Sequence, residues 1–153
     1  MSLVAQTLDR VSVHLIFSTK ERANLIPPEV ESELHAYLAG IANNLDSRCL
    51  AVNGTADHVH MLVSQSKSVG LAELVAEVKK GSSKWIKTKS APLGNFHWQN
   101  GYAAFSVSES NAASVQQYIA DQKEHHRKRS FQEELIRFLR KHGVEYEERY
   151  IWT

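Results

Sequence analysis

The chain has 153 residues, of which 42% are hydrophobic and 23% charged, with a formal net charge of +1. That composition predicts one soluble globular domain over residues 1–153, able to bury roughly two-thirds of its unfolded-chain surface without staples. A single cysteine, Cys49, excludes an internal disulfide framework and fits a reducing cytosol, and the lack of a long apolar run argues against a signal peptide or membrane span. The charge is unevenly spread: Lys79, Lys80, Lys84, Lys87 and Lys89 cluster, Arg127, Lys128 and Arg129 form a second basic group, and acids gather near the end.

In chain order, residues 11–18 read as a first strand. Val11, Val13, Leu15 and Phe17 take one face, and Ser12, His14, Ile16 and Ser18 the other. A polar connection carrying Lys20 and Arg22 leads to Pro27-Pro28, which suits the first turn of a helix striped by Val30, Leu34, Leu38, Ile41 and Leu45. Residues 48–53 predict a second strand, joined through a turn at residues 54–57 to a third that begins near His58. Ser68 is the expected cap of the next helix, whose stripe is Leu71, Leu74, Val75 and Val78. Trp85 and Ile86 keep its period past Gly81, so the helix should continue through the glycine.

Residues 96–107 read as a second hairpin, turning at Asn100-Gly101 in a type I′ turn. Ser110 or Asn111 should cap a helix with Val115 and Ile119, which leads to the second basic group. Ser130-Phe131-Gln132-Glu133 is a capping box that opens a last helix with Phe131, Leu135, Phe138 and Leu139 on its apolar face, ended by Gly143. The tail over residues 143–153 places Tyr146, Tyr150, Ile151 and Trp152 among acids, and is expected to dock on the body or on a second copy. This order predicts an α+β, ferredoxin-like (RRM-like) antiparallel sheet with helices mainly on one face, plus an added C-terminal helix. The opposite face should be partly free.

Two constellations carry chemistry. In Asp57-His58-Val59-His60-Met61-Leu62-Val63-Ser64, side chains two apart share a face, so His58 and His60 stand together while Val59, Met61 and Val63 face the core. Paired imidazoles can converge on one metal ion, although a bare His-x-His equally describes two ordinary surface histidines. Further on, Tyr118 and Gln122 lie four apart on one helix face. A phenol is a weak nucleophile until its proton is withdrawn or its target is activated, and an amide oxygen is a plausible third ligand. Alone, Tyr118 reads as a packing residue; beside a metal on His58, His60 and Gln122 it reads as a nucleophile.

The chain resembles the single-tyrosine HUH transposases of small bacterial insertion sequences and their REP-associated relatives. The matching stretches follow the family order: His14-Leu15-Ile16-Phe17-Ser18-Thr19-Lys20, then Asp57-His58-Val59-His60, then the basic residues 79–86. Trp98-Gln99-Asn100-Gly101-Tyr102 with Phe105-Ser106-Val107 comes next, and Tyr118-Ile119-x-x-Gln122 last. The resemblance implies cleavage and rejoining of single-stranded DNA, with Tyr118 forming a 5′-phosphotyrosine and His58, His60 and Gln122 holding a divalent ion. It implies recognition of DNA hairpins, with Lys20, Arg22, Lys79, Lys80 and Lys84 as candidate phosphate contacts, unless the lysines are simply a solvated face. It also implies a homodimer with shared active sites, and a cytoplasmic, nucleoid-associated location. The family's metal is usually magnesium or manganese; two histidines and an amide favour manganese or zinc, so all three stay open. An insertion-sequence enzyme and a domesticated, REP-associated one are both compatible. A non-catalytic RNA-binding domain of the same fold is the main rival, but the histidine strand lacks aromatics and no RNP1 pattern is present.

Overall fold

The computed structural model describes residues 8–147. Strand β1 (Ser12–Ser18) lies in the middle of a four-stranded sheet. It pairs antiparallel with β3 (His58–Ser64) on one side and with β4 (Ala103–Val107) on the other. Strand β2 (Arg48–Gly54) flanks β3, so the order is β2-β3-β1-β4. Helix α1 (Pro28–Asn44) connects β1 to β2, and α2 (Leu71–Ile86) leads from β3 towards β4. This is the ferredoxin-like α+β arrangement that the element order predicts. Among the described residues no helix is long and apolar enough to cross a membrane.

Alternation along the strands builds the main core. Val13, Leu15 and Phe17 of β1 and Val59, Met61 and Val63 of β3 meet Val30, Leu34, Leu38 and Ala42 of α1 and Leu74, Val75, Val78 and Ile86 of α2. Pro27 and Pro28 open α1 with φ already set for a helix. Helix α2 runs unbroken through Gly81. A Cβ there would come within 2.7 Å of the Ile41 side chain, so the glycine lets the two helices approach closely. Ser68 does not cap α2. Gly70 holds that position, and the Ser68 hydroxyl pairs with Ser66 at 3.0 Å instead.

The opposite sheet face is covered rather than partly free. Helices α3 (Ala112–Ala120), α4 (Gln122–His125) and α5 (Phe131–Lys141) belong to this side. Ile16 and Phe105 from the sheet form a second, smaller core with Phe131, Leu135 and Leu139 from α5. The predicted capping box at Ser130 and Glu133 starts α5. A left-handed Gly143 (φ 65) ends the helix, where Val144 N donates to Leu139 O at 2.9 Å and Gly143 N to Arg140 O at 3.2 Å. Tyr146 packs against this second core, while Tyr150, Ile151 and Trp152 lie outside the described residues.

The expected hairpin over residues 96–107 does not form. Both of its flanks align with β1 instead: Trp98 bridges Thr19, Gln99 N donates to Ser18 O at 2.8 Å, and Ala103 sits opposite Ile16. Asn100-Gly101 bulges out of this single edge, with only Gly101 at positive φ (86), whereas a type I′ turn needs both. Trp98 explains the outcome, because its ring packs edge-on to Phe17 and its Nε1 donates to the buried Ser82 hydroxyl at 3.0 Å. Burying that indole anchors the segment along β1.

Gly54 ends β2 where the chain turns towards His58. A Cβ on it would collide with His58 O and lie 2.9 Å from Val59 Cα, and neither backbone atom can move without breaking the pairing. Gly54→Ala is therefore expected to destabilise the fold by roughly 3 kcal/mol, at the upper end for overpacking. A urea denaturation midpoint equal to that of the unaltered chain would contradict this close approach.

Candidate active site

The histidine pair faces the second core, completely buried in β3. Their rings lie edge to face, with centroids 5.1 Å apart. Each ring is held at Nδ1 by a neighbour, which turns Nε2 inward. For His58 the partners are Asp57 Oδ1 at 2.8 Å and the Thr55 hydroxyl at 3.0 Å; for His60 it is His14 Nε2 at 2.7 Å. Ligating imidazoles are commonly oriented in this way by a partner on the far nitrogen.

Tyr118, near the end of α3, and Gln122, at the start of α4, reach the same point. The helical path bends at Asp121, yet the two side chains still project together. Gln122 Oε1 faces His58 Nε2 at 3.2 Å, and the Tyr118 ring stands 6.0 Å from that of His60. Asn53, opposite His60 on β2, donates to the last carbonyls of α3, Ile119 O and Ala120 O, both at 3.0 Å. It satisfies acceptors that a helix end leaves open. The four residues read from the sequence as nucleophile and ligands are thus brought together.

Two further members come from beyond Gln122. Glu134 of α5 enters the centre almost fully buried. Its Oε1 lies 2.8 Å from His60 Nε2, 3.1 Å from His126 Nε2 and 3.4 Å from His58 Nε2. Its Oε2 accepts from the Tyr118 hydroxyl and from Gln122 Nε2, the latter at 3.1 Å. His126 is fixed through Nδ1, which donates to Arg129 O at 2.8 Å. The sequence held a faint signal for Glu134: it falls three residues after Phe131 and four before Phe138, a carboxylate within an apolar helix stripe. His126 had none, and His14 showed only as part of the matching first strand.

Burial and charge set the protonation of the group. Burial would raise Glu134, but hydrogen bonds from His126, His58 and His60 hold it well below the usual carboxylate range. Burial lowers His58, but Asp57 and Glu134 outweigh it and raise the ring to about 9. Burial keeps His60 down at about 4, and burial together with His60 keeps His14 at about 3. The Tyr118 phenol is raised by burial and by Glu134, so in this arrangement it stays protonated.

The donor set fits a divalent metal ion. His58, His60, His126 and Glu134 each offer an atom within 4.8 Å of the others. Beside them, a cavity of about 730 Å³ opens between α3 and α5, lined by His14, Tyr118, His125, Arg129, Glu134 and Lys141 among others.

The cations named as DNA contacts do not join this centre. Lys20 and Arg22 sit on a short 3₁₀ turn at the end of β1. Lys80 and Lys84 are exposed on α2, across the sheet from the histidines. The Lys79 ammonium donates to Gln99 O and Gly101 O and lies over the Phe17 ring, so it fixes the bulged edge.

Fold and site together define a ferredoxin-like domain that seats a histidine pair and a tyrosine on one face of its sheet. The chain belongs to the IS200-like transposases: the family described as "Transposase IS200 like" matches residues 7–122. It is 27% identical over 118 residues to the ISDra2 transposase TnpA of Deinococcus radiodurans, covering 74% of this chain and 84% of that one. A crystallised Deinococcus radiodurans protein assigned as a transposase superposes with a TM-score of 0.61 at 27% identity, covering 80% of this chain and 98% of the other. The structure of a REP-associated tyrosine transposase bound to a REP hairpin matches in fold with a TM-score of 0.57 at 14% identity, covering 82% and 74%.

Removing the carboxylate behind His58 tests whether the rings are preset for a metal. Asp57→Ala is expected to lower affinity for a divalent ion about 10- to 100-fold, read by calorimetric titration, with the fold retained. Equal affinity would mean that Asp57 plays no orienting part.

Proposed function

We propose that this transposase cuts and rejoins single-stranded DNA through a covalent bond to Tyr118, at a strand position set by a neighbouring DNA hairpin. The observation that carries this reading is the convergence of the Tyr118 hydroxyl, His58, His60 and Gln122 on one oxyanion, the Glu134 carboxylate. A phosphodiester that takes the place of that carboxylate lies against the phenol oxygen. Because His58, His60 and Gln122 are fully buried, α5 must withdraw Glu134 before a strand can enter.

In the reaction, Tyr118 Oη bonds to phosphorus, the bond from phosphorus to the 3′ oxygen breaks, and that oxygen leaves as a hydroxyl carrying the proton the phenol gave up. The 5′-phosphotyrosine keeps the bond energy, so a 3′-hydroxyl can later attack it and restore Tyr118 without a nucleotide cofactor. His58 and His60, with Gln122 as third donor, would hold a divalent ion, which when bound supplies polarisation of the phosphate. Arg129 and Lys141 line the cavity beside Tyr118 and suit the approaching backbone. Lys80 and Lys84, together with Lys20 and Arg22, suit hairpin phosphates away from the cut. That a REP-associated transposase of the same fold is bound to a hairpin supports a hairpin as part of the substrate. An RNA-binding sheet fits less well, since the face such domains use for stacking bases is covered by α3 to α5.

Tyr118→Phe is expected to abolish the denaturation-resistant protein–DNA adduct while DNA binding persists, because only one oxygen is lost. An adduct formed by the Phe protein would reassign the nucleophile.

Tyr118 stands beside the His60 of its own chain, which supports a complete site within each chain rather than one shared across a homodimer. Mixing Tyr118→Phe and His60→Ala proteins under conditions of subunit exchange is then expected to give no adduct. Recovery in the mixture would establish the shared arrangement.

A further inference from the structure

We propose that His126 and Glu134, both beyond the family-matched residues 7–122, are metal donors, and that with His58 and His60 they form a four-donor site for a borderline first-row ion such as zinc or cobalt rather than magnesium. The inference builds on the proposed reading of the histidine pair as ligands and adds donors that His58, His60 and Gln122 do not include.

Three observations support it. First, all three imidazoles have Nδ1 engaged by a different partner: Asp57 for His58, His14 for His60 and the Arg129 carbonyl for His126. Each ring therefore aims its Nε2 at the centre, where Glu134 Oε1 and Gln122 Oε1 also lie.

Second, the four donor atoms lie within 4.8 Å of one another, close enough to draw in onto one ion. Bonds near 2.0–2.1 Å in a tetrahedron put donors about 3.4 Å apart. Glu134 Oε1 stands 2.8, 3.1 and 3.4 Å from the three nitrogens. Third, the Glu134 carboxylate at the centre and the Asp57 carboxylate behind His58 supply negative charge that a divalent ion would offset. Three imidazoles and one carboxylate are a borderline donor set, whereas magnesium takes oxygen ligands and retains water. In the chain without DNA, a bound ion would tie the segment carrying His126 and Glu134 to β3, and Glu134 would leave the ion when a strand enters.

The test is a titration of the whole, metal-stripped chain with cobalt, zinc and magnesium chloride, followed by visible absorption. One cobalt per chain is expected, with the intense bands of a low-coordinate ion, displaced by zinc and not by a large excess of magnesium. Glu134→Gln, which keeps the side-chain shape, and His126→Ala are each expected to weaken cobalt binding at least about tenfold and to change the spectrum. If both variants bind cobalt as the unaltered chain does while His58→Ala does not, the C-terminal donors are refuted and the family-like ligand set stands. Failure of the unaltered chain to bind cobalt or zinc, or displacement of cobalt by magnesium, also overturns the proposal. In every case the adduct assay with Tyr118→Phe judges the strand-cleavage reading separately.

Discussion

The register between β1 and β3 is the constraint on which everything else rests. Leu15 faces Met61 and Phe17 faces Val59 across the pair, while Ile16 faces His60 and His14 faces Leu62. Because the side-chain period is two, one choice of register sends the aliphatic set to α1 and α2 and all three imidazoles to the other face. A slip by one residue would drive His58 and His60 into the apolar core and expose Val59 and Met61 to the polar centre. The main core thus protects the chemistry without touching it. Burying imidazoles costs free energy unless both nitrogens find partners, and here Asp57, His14, Glu134 and Gln122 supply them.

What could be read beforehand followed periodicity. The three apolar stripes, the alternating strands, the capping box at Ser130 and the left-handed Gly143 are local signals, and local forces decide them. Asn100-Gly101 misled because the dipeptide has turn chemistry of its own, while the burial of Trp98 and pairing with β1 are non-local and stronger. The covered second face was missed for a related reason: the stripe of α5 says that the helix docks, not where. Glu134 is the limiting case. A carboxylate in a stripe is unusual, but only the assembled fold shows the three imidazoles waiting for it.

Lysine clustering shows the same limit for charge. Lys79 and Lys80 are neighbours in sequence, yet one ammonium is held by two carbonyls over an aromatic ring, with burial lowering it to about 8, and the other is exposed. A basic run therefore merges a residue that fixes a backbone bulge with residues free to meet phosphates. Lys80 and Lys84 lie across the sheet from Tyr118, away from the buried centre.

The Asn53 clamp bears on how such a centre can open and still stay aligned. The residue opposite His60 holds the carbonyl end of the helix that carries Tyr118, so Tyr118 and His60 share one footing on the β2–β3 ladder. Nothing in that footing depends on α5. The helix that carries Tyr118 is thus anchored to the sheet by a contact separate from the one that Glu134 makes, so access and alignment need not be the same degree of freedom.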